Sequence, residues 1–436
     1  MKVKVFPGPL AGALNIIPSK SHLHRLLIAA ALADGDTFIR SAPTEAEDVE
    51  ATAACLTVLG ASVRRVEGGF QVTPLKRDCL PKHAVFPCRE SGSTFRFMLP
   101  VVCALGICGE FHMAGRLPQR PLAPLDRQLI QHGISFTRPK PHILLTEGQL
   151  LPGEYRIPGN ISSQYITGLL LALPLLGERS SLTVEGRVES ADYIHMTLET
   201  IAAFGRAPAM AENRYEIQGA GNYRSPGTAD AEGDWSNAAF PLCFGAMPGG
   251  KLEVSGLNPE SRQGDRAVAD ILIKMGAKVT WEGNVITVSE GTRCAAEIDA
   301  AAIPDLIPVL SAVAAVSRGR TIIKNAGRLR LKESDRLAAT ANVLGTLGAK
   351  VKELPQGLQI EGVPRLTGGT VDSWGDHRIA MMAAVASAAC TGPVTIKGAQ
   401  AVRKSYPQFW EELSKLGKEV HLIEEGAISH VRHLEK

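Results

Sequence analysis

Cationic side chains recur in short polar strings of this chain, each before an apolar segment with a helical pattern. Lys20, Arg120, Lys332 and Lys404 occupy such places. A helix N-terminus already carries partial positive charge, so a cation there is mildly unfavourable on its own. Four cations at corresponding places therefore indicate that helix ends and cations converge on a shared anionic ligand.

Three arginines and two carboxylates extend this set. Arg25, Arg336 and Arg378 each lie close to a predicted helix start, which brings the cations to seven. Seven cations suit two ligands that carry several phosphate and carboxylate charges between them. Asp305 and Glu333 stand at corresponding helix starts among the cations. Such a pair is suited to general acid–base chemistry on the bound anions.

Three further polar residues before predicted helices have a simpler explanation. Asp48, Ser236 and Asp265 are of the types preferred at helix N-caps, where a side chain accepts a hydrogen bond from the backbone. We therefore interpret these three residues as caps.

The composition argues against several other classes of protein. A net charge of +3, with no arm rich in lysine or arginine, does not favour a nucleic-acid partner. The longest apolar stretch, around 168–176, is too short to span a bilayer, and residues 1–10 lack an apolar signal core. We therefore expect a cytoplasmic protein without a membrane partner. The eight cysteines have no zinc-ligand spacing and are expected to be reduced, so no metal site is predicted.

Glycines that follow the predicted helices repeat with a period of about 70 residues. One set ends amphipathic helices: Gly60, Gly133, Gly205, Gly276, Gly348 and Gly417. A second set ends helices that are apolar on almost every side: Gly35, Gly106, Gly177, Gly249, Gly319 and Gly392. Because a glycine just past a helix is the usual left-handed stop, the two sets predict six α/β units, each with one buried and one amphipathic helix.

The buried helices also predict how the units are grouped. A helix that is apolar on every side must be surrounded by protein. We therefore expect two domains of three units each, with the break near the polar stretch 219–233 and a cleft between the domains.

Taken together, the polar strings resemble those of a known family. In the first half they are Pro18-Ser-Lys-Ser21 with Arg25, Glu90-Ser-Gly-Ser-Thr-Phe-Arg96, Arg120-Pro121, Ser162-Ser-Gln164 and Ser190 with Tyr193. In the second half they are Ile303-Pro-Asp305, Leu331-Lys-Glu-Ser-Asp-Arg336, Gly375-Asp-His-Arg378 and Arg403-Lys404. On these residues, which run in order from 16 to 409, the chain resembles the 5-enolpyruvylshikimate-3-phosphate (EPSP) synthase family.

The resemblance implies the α/β, two-domain enolpyruvyl transferase fold, with six repeated units, three per domain, and buried parallel helices. It implies an N-terminal domain of residues 14–231, which mainly serves shikimate 3-phosphate. Residues 232–436, together with 1–13, would form a C-terminal domain that carries the catalytic carboxylates and the phosphoenolpyruvate cations. Because both walls of the cleft would carry cations, we expect it to be open without ligand and to close on shikimate 3-phosphate.

The resemblance also implies a reaction of the shikimate pathway, in aromatic amino acid biosynthesis, which glyphosate inhibits. The 5-hydroxyl of shikimate 3-phosphate attacks carbon 2 of phosphoenolpyruvate, the methylene is protonated, and phosphate leaves the tetrahedral intermediate. The expected partners are these two substrates alone, bound by a monomer that needs neither metal nor cofactor.

The family's site residues carry over to matched positions of this chain. Shikimate 3-phosphate would be held by Lys20, Ser21, Arg25, Ser162, Ser163, Gln164, Ser190, Asp305 and Lys332. Phosphoenolpyruvate would be held by Lys20, Gly92, Arg120, Gln164, Arg336, Arg378 and Lys404. Asp305 is the expected base and Glu333 the expected acid, with Lys20 shuttling protons or stabilising charge.

Some positions depart from the family pattern. Glu90 stands where many members have Asn, Ser93 where many have Thr, and Arg328 where some have Asn. The main alternative function is that of the related UDP-N-acetylglucosamine enolpyruvyl transferase, whose family carries a cysteine at the place of Gly115. An RNA 3′-phosphate cyclase, which resembles the unit architecture, would need a histidine nucleophile and a more basic face.

Overall fold

The structure, a computed structural model, describes residues 1–424 and 427–430, so the remaining residues of the predicted C-terminal domain lie outside the described part. The α-helices are α1 Lys20–Ala31, α2 Glu47–Val58, α3 Gly92–Ala104, α4 Leu125–Gln131, α5 Ser163–Ala172, α6 Ala191–Ala203, α7 Trp235–Ala246, α8 Val268–Lys274, α9 Ile307–Ala314, α10 Arg336–Thr346, α11 His377–Ala386 and α12 Phe409–Lys415.

The strands are short and interspersed among these helices. They are β1 Lys2–Val5, β2 Ala11–Asn15, β3 Thr37–Arg40, β4 Ser62–Val66, β5 Gly69–Thr73, β6 His83–Arg89, β7 Cys108–Met113, β8 Ile134–Lys140, β9 Ile143–Gly148, β10 Glu154–Pro158, β11 Ser180–Glu185, β12 Ala209–Ala211, β13 Arg214–Ile217, β14 Thr228–Asp230, β15 Lys251–Ser255, β16 Lys278–Glu282, β17 Val285–Ser289, β18 Glu297–Asp299, β19 Arg320–Lys324, β20 Lys350–Leu354, β21 Gly357–Glu361, β22 Gly369–Asp372, β23 Val394–Lys397, β24 Val420–Glu424 and β25 Ala427–His430.

The strands form six separate sheets of one design. Each has a parallel pair at one edge, followed by two antiparallel neighbours in five of the sheets and by three in the sheet that contains β1. The orders are β14-β3-β5-β4, β6-β7-β9-β8, β10-β11-β13-β12, β2-β15-β17-β16, β18-β19-β21-β20 and β22-β23-β1-β24-β25. In β7, alternate residues are buried, as expected for a strand with one face on a core. The repeated design confirms the six α/β units predicted from the glycine period.

The chain divides into two compact units. The N-terminal unit is residues 18–232, and the C-terminal unit is residues 1–17 together with those from 233 onward. The units are divided between residues 17 and 18 and between residues 232 and 233. The predicted boundaries lay between residues 13 and 14 and between residues 231 and 232. Residues 11–15 belong to the C-terminal unit because β2 pairs in parallel with β15. Each unit contains three of the sheets.

Each unit has its own apolar core, built around helices that are buried on all sides. In α3 the one residue that is not buried is Ser93, and in α7 it is Ser236. Both lie in the first helical turn, so solvent reaches these helices at their N-terminal ends. Among the described residues, no helix combines the length and the apolar character that crossing a bilayer requires.

The glycines confirm one of the two predicted sets of helix ends in full and the other in part. All six glycines of the amphipathic set have positive φ, from 72° at Gly205 to 98° at Gly133. In the second set only Gly106, Gly249 and Gly319 do. Helix α5 instead continues into the 3-10 turn Leu173–Leu175 before Gly177, so no left-handed residue is needed there.

Candidate active site

Three cations meet the carboxylate of Asp305 in the C-terminal unit. Nη1 of Arg336 lies 2.6 Å from Oδ1 of Asp305, and Nζ of Lys332 lies 3.4 Å from the same oxygen. Nη2 of Arg378 lies 3.3 Å from Oδ2. The loop before α9 thus carries a carboxylate with cations on both oxygens, as the sequence predicted for the residues of this unit.

These contacts set the charge of the group. Burial alone would raise the pKa of Asp305, but Arg378, Lys332 and Arg336 outweigh it and hold the pKa well below its usual range. Burial lowers the pKa of Lys332, although Asp305 opposes that shift. In the ligand-free protein Asp305 is therefore ionised, and a carboxylate in this state is a weak base.

Arg336 is the centre of a buried network of acids. Its side chain is 1% exposed and donates to Glu333 Oε2 at 2.7 Å and to Asp376 Oδ2 at 2.8 Å, besides Asp305. Asp376 is fully buried, accepts from the hydroxyl of Ser334 at 3.0 Å, and caps α11 by accepting from the backbone N–H of Arg378 at 2.9 Å. Asp376 was absent from the predicted site, although a buried arginine generally requires a buried acid.

Lys404 joins the same cluster through the loop before α11. Its Nζ donates to the carbonyl oxygen of Gly375 at 2.8 Å. The structure therefore brings together every predicted site residue of the C-terminal unit: Asp305, Lys332, Glu333, Arg336, Arg378 and Lys404.

In the N-terminal unit, Lys20 and Arg25 lie on the first two turns of α1. Nζ of Lys20 pairs with Oδ2 of Asp48 at 2.7 Å. Arg25 is buried and donates to the carbonyl oxygens of Ser21 at 2.6 Å and Tyr193 at 3.0 Å. Burial lowers the pKa of Arg25 to about 9. The contacts with these oxygens act in the opposite direction, because they stabilise the protonated guanidinium.

A second cluster forms at the first turn of α3. Nη1 of Arg96 donates to Oε1 of Gln164 at 3.0 Å, and Nε2 of Gln164 donates to the hydroxyl of Ser93 at 3.1 Å. A Cβ added to Gly92 would lie 2.7 Å from Nη1 of both Arg96 and Arg120. The structure thus brings the predicted residues Gly92, Arg120 and Gln164 together. Arg96 was missed, although it stood in the string that carried the resemblance.

The predicted serines lie at the starts of two other helices. Ser162 is the N-cap of α5 and accepts from the backbone N–H of Gln164 at 3.3 Å, and Ser163 is the first residue of that helix. Ser190 precedes α6 in a left-handed conformation, with φ of 55°. It is linked to the α1 residues through Tyr193, whose N–H donates to Ser190 and whose carbonyl accepts from Arg25.

The interpretation of Asp48, Ser236 and Asp265 as helix caps is wrong. Asp48 lies in the first turn of α2, whose N-cap is Ala46, and its carboxylate pairs with Lys20. Ser236 lies inside α7, which Asp234 caps. Asp265 lies in the 3-10 turn Gly264–Ala267, and its carboxylate accepts a hydrogen bond from the hydroxyl of Ser236. In all three cases the side chain instead bonds to a residue that is distant in the sequence.

The predicted position of three cations at α-helix starts is also wrong. Arg120 follows the 3-10 turn Leu117–Gln119, and Lys332 follows the 3-10 turn Gly327–Leu331. Lys404 ends the 3-10 turn Ala399–Lys404. The next α-helices begin later, at Leu125, Arg336 and Phe409. The cations therefore stand beside the carbonyl ends of short turns, where positive charge is favourable.

Within the described part of the chain, no group of three or more histidine, cysteine, aspartate or glutamate residues is arranged to hold a metal ion. The chemistry of the site, as far as the structure describes it, rests on carboxylates, cations, hydroxyls and one amide.

Comparison with known proteins identifies the family of this chain. The sequence profile of the family described as EPSP synthase (3-phosphoshikimate 1-carboxyvinyltransferase) matches residues 6–413. A relative named 3-phosphoshikimate 1-carboxyvinyltransferase from Clostridium beijerinckii is 40% identical over 428 residues, covering 95% of this chain and 97% of the relative. A protein of the same name from Clostridium acetobutylicum is 40% identical over 425 residues, covering 96% and 98%.

Solved structures show the same fold. EPSP synthase of Acinetobacter baumannii superposes with a TM-score of 0.79 at 24% identity, covering 98% of this chain and 99% of that chain. The enolpyruvyl transferase NikO of Streptomyces tendae superposes with a TM-score of 0.77 at 16% identity, covering 98% and 99%. These structures confirm the predicted enolpyruvyl transferase fold. Since the family profile and the relatives cover nearly the whole chain, the protein belongs to the EPSP synthase family.

Proposed function

We propose that this protein transfers the enolpyruvyl group of phosphoenolpyruvate to the 5-hydroxyl of shikimate 3-phosphate and releases phosphate. The observation that carries the proposal is the ionised Asp305 held among Lys332, Arg336 and Arg378, in a chain of the EPSP synthase family. This arrangement supplies a proton acceptor beside cations that suit the phosphate and carboxylate of phosphoenolpyruvate.

Substrate binding would turn Asp305 into a better base. In the free protein the three cations depress its pKa. When Arg336 and Arg378 bind phosphoenolpyruvate and Lys332 binds shikimate 3-phosphate, the anionic substrates neutralise the charges that stabilise the carboxylate. The pKa of Asp305 then rises towards its ordinary value, and the group can accept the proton of the 5-hydroxyl.

Glu333 is the proposed acid that protonates the methylene carbon. Glu333 and Asp305 both accept hydrogen bonds from the guanidinium of Arg336, so the proposed acid and base are positioned by the same side chain. This role requires Glu333 to be protonated when the reaction starts. As Asp305 then gains a proton and Glu333 gives one up, the total negative charge facing Arg336 stays constant. Lys20 is proposed to shuttle protons or to stabilise charge.

The proposed ligands of shikimate 3-phosphate are Lys20, Ser21, Arg25, Ser162, Ser163, Gln164, Ser190, Asp305 and Lys332. Those of phosphoenolpyruvate are Lys20, Gly92, Arg120, Gln164, Arg336, Arg378 and Lys404. These two molecules are the proposed partners of a monomeric protein. All eight cysteines are free, as in proteins of a reducing compartment, and this supports a cytoplasmic location.

The space around Gly115 favours shikimate 3-phosphate over UDP-N-acetylglucosamine as the acceptor. A Cβ added to Gly115, where the other family has cysteine, would lie 2.4 Å from the carboxyl carbon of Glu90, and Gly115 has φ of 54°. A side chain at this place would therefore require both backbone strain and movement of Glu90.

Phosphate release from phosphoenolpyruvate tests the proposal. The purified protein is incubated with phosphoenolpyruvate and either shikimate 3-phosphate, UDP-N-acetylglucosamine or no acceptor. We expect release with shikimate 3-phosphate alone. Release with only UDP-N-acetylglucosamine would replace the proposal by the alternative, and equal release in all three would show hydrolysis without transfer.

A further inference from the structure

A serine joins a buried acid to one of the site arginines. The hydroxyl of Ser236 donates to Oδ2 of Asp265, and Nη2 of Arg378 lies 3.1 Å from the serine oxygen. Arginine has no acceptor, so the serine oxygen accepts from Arg378 and its one proton goes to Asp265. The direction of the chain Arg378–Ser236–Asp265 is therefore fixed.

Asp265 is a buried carboxylate whose burial must be offset by other groups. The residue is 2% exposed, and it does not cap a helix. Ionised carboxylates are seldom buried without a partner, because leaving water costs free energy that only hydrogen bonds or opposite charges offset. In the C-terminal unit those compensations include the hydroxyl of Ser236 and the charge of Arg378. The acid is thus linked through Ser236 to an arginine that also contacts Asp305.

Arg378 also contacts Asp305 directly. Its Nη2 lies 3.3 Å from Oδ2, and its Nη1 lies 3.3 Å from the carbonyl oxygen of Asp305. In the proposed reaction Asp305 takes up a proton, and its attraction for Arg378 then weakens. The contact between Arg378 and Ser236 involves no group that gains or loses a proton in this step.

The two carboxylates influence each other's charge. Burial and next the charge of Asp305 raise the pKa of Asp265 to about 6, against the effects of Arg378 and Ser236, while Asp234 adds a smaller increase. Protonation of Asp305 removes one of the causes that raise this pKa, so Asp265 then keeps its negative charge more firmly. Negative charge therefore remains beside Arg378 when Asp305 loses its own.

We propose that Ser236 and Asp265 are positioning residues, which hold the guanidinium of Arg378 in place for phosphoenolpyruvate while Asp305 changes its charge. The inference rests on the proposed function, since it concerns the arginine assigned to phosphoenolpyruvate.

Steady-state kinetics of four variants test it. Ser236→Ala removes an acceptor of Arg378 that does not belong to Asp305, and we expect the KM for phosphoenolpyruvate to rise about tenfold, with the KM for shikimate 3-phosphate changed less than about twofold. Ser236→Thr keeps the hydroxyl and should restore nearly wild-type values. Asp265→Asn keeps an acceptor but not the charge, so its effect should be smaller, about threefold. Ser255→Ala is the control, because that hydroxyl donates to Leu14 at 3.3 Å, away from the site residues.

A binding measurement separates this inference from the proposed reaction. The midpoint of thermal unfolding is measured for each protein with and without phosphoenolpyruvate. We expect a rise for the wild type and Ser255→Ala and a clearly smaller rise for Ser236→Ala. If the wild type bound phosphoenolpyruvate but transferred nothing, the proposed function would fail and this comparison would still decide the positioning role.

Three results would overturn the inference. The first is a KM and a thermal shift in Ser236→Ala equal to those of the wild type. The second is a parallel loss of stability and of affinity for both substrates, which would indicate a purely structural role. The third is the absence of any thermal shift by phosphoenolpyruvate in the wild type.

Discussion

The carboxylate of Asp305 is the residue on which the proposed chemistry depends most. Asp305→Asn keeps the size of the side chain but removes the group that accepts the proton of the 5-hydroxyl. We expect kcat to fall at least about 100-fold, while the Kd of shikimate 3-phosphate changes little. Phosphate release under saturating substrates and direct binding measurements check the two parts.

Asp299→Asn is a matched control for that variant. Asp299 ends β18 and accepts from the backbone N–H of Ala301 at 2.9 Å, so it lies on the same segment but not among the site cations. Its activity should stay near that of the wild type. Activity of Asp305→Asn within a few-fold of this control would show that Asp305 is not the base.

Gly92 is the second residue whose change has a direct physical consequence. The added methyl of Gly92→Ala would meet Arg96 and Arg120 at 2.7 Å, so both guanidinium groups must move. We expect the inhibition constant of glyphosate to rise at least about tenfold and by more than the KM for phosphoenolpyruvate, because glyphosate is the longer molecule. An inhibition series on both proteins measures the two constants, and an equal rise in both would contradict this expectation.

At the scale of elements, regular periodicity made much of the fold predictable. The left-handed stop after each amphipathic helix requires glycine, so Gly60 and its five counterparts mark the units in the sequence itself. The 3-10 turns that carry Arg120, Lys332 and Lys404 are too short for such a pattern, and their cations were therefore assigned to α-helix starts. The residues that the resemblance names, by contrast, include six that the structure brings together in the C-terminal unit.

Pairs of distant residues could not be predicted from a single sequence. Lys20 pairs with Asp48 and Ser236 with Asp265, each across nearly thirty residues and between different helical elements. Such pairs depend on how the helices pack, which a single sequence does not show. A local rule instead interprets a serine or an aspartate near a helix start as an N-cap. Asp376, which pairs with Arg336, was missed for this reason, and Asp265, which is linked to Arg378 through Ser236, was misread as a cap.

The buried contact between Arg336 and Asp376 should stabilise the C-terminal unit. Asp376→Ala removes a fully buried carboxylate from an arginine that stays buried, and we expect the free energy of unfolding to fall by about 3 kcal/mol. Asp335→Ala, which removes the N-cap of α10 and a partly exposed pairing with Arg330, should cost about 1 kcal/mol. Urea unfolding compares the two variants, and equal losses would show that the buried pair adds nothing beyond capping.

At the scale of the whole molecule, a partly buried histidine makes stability depend on pH. Burial, with Arg25 as a smaller cause and Glu232 opposing, lowers the pKa of His22 from 6.5 to about 4. Between these values the unfolded chain binds a proton that the folded protein does not. Stability therefore falls as the pH decreases from about 6.5 to about 4.

His22→Asn tests this dependence. The asparagine oxygen can replace Nδ1 as the acceptor for the backbone N–H of Glu232. We expect the loss of unfolding free energy between pH 7 and pH 5 to be about 2 kcal/mol smaller than in the wild type. His142→Asn, at an exposed position of the same unit, should behave like the wild type. An unchanged loss in His22→Asn would contradict the assignment.

The proposed function also predicts a change of the whole molecule on binding. Its ligands take cationic residues from both units, and like charges repel until anions join them. We expect the radius of gyration in small-angle scattering to decrease when shikimate 3-phosphate is added to saturation. An unchanged radius at saturation, established by a separate binding measurement, would count against closure.

The position of β1 has a consequence for how the protein is made. This strand contains residues 2–5, yet it pairs with residues 394–397 on one side and with residues 420–423 on the other. During translation these partners leave the ribosome long after β1, so β1 cannot pair until they have been made. Residues 18–232 contain every strand of their own three sheets and can fold while synthesis continues. Newly made chains should therefore complete the N-terminal unit first, and the sheet that contains β1 can form only after residues 394–397 and 420–423 have been made.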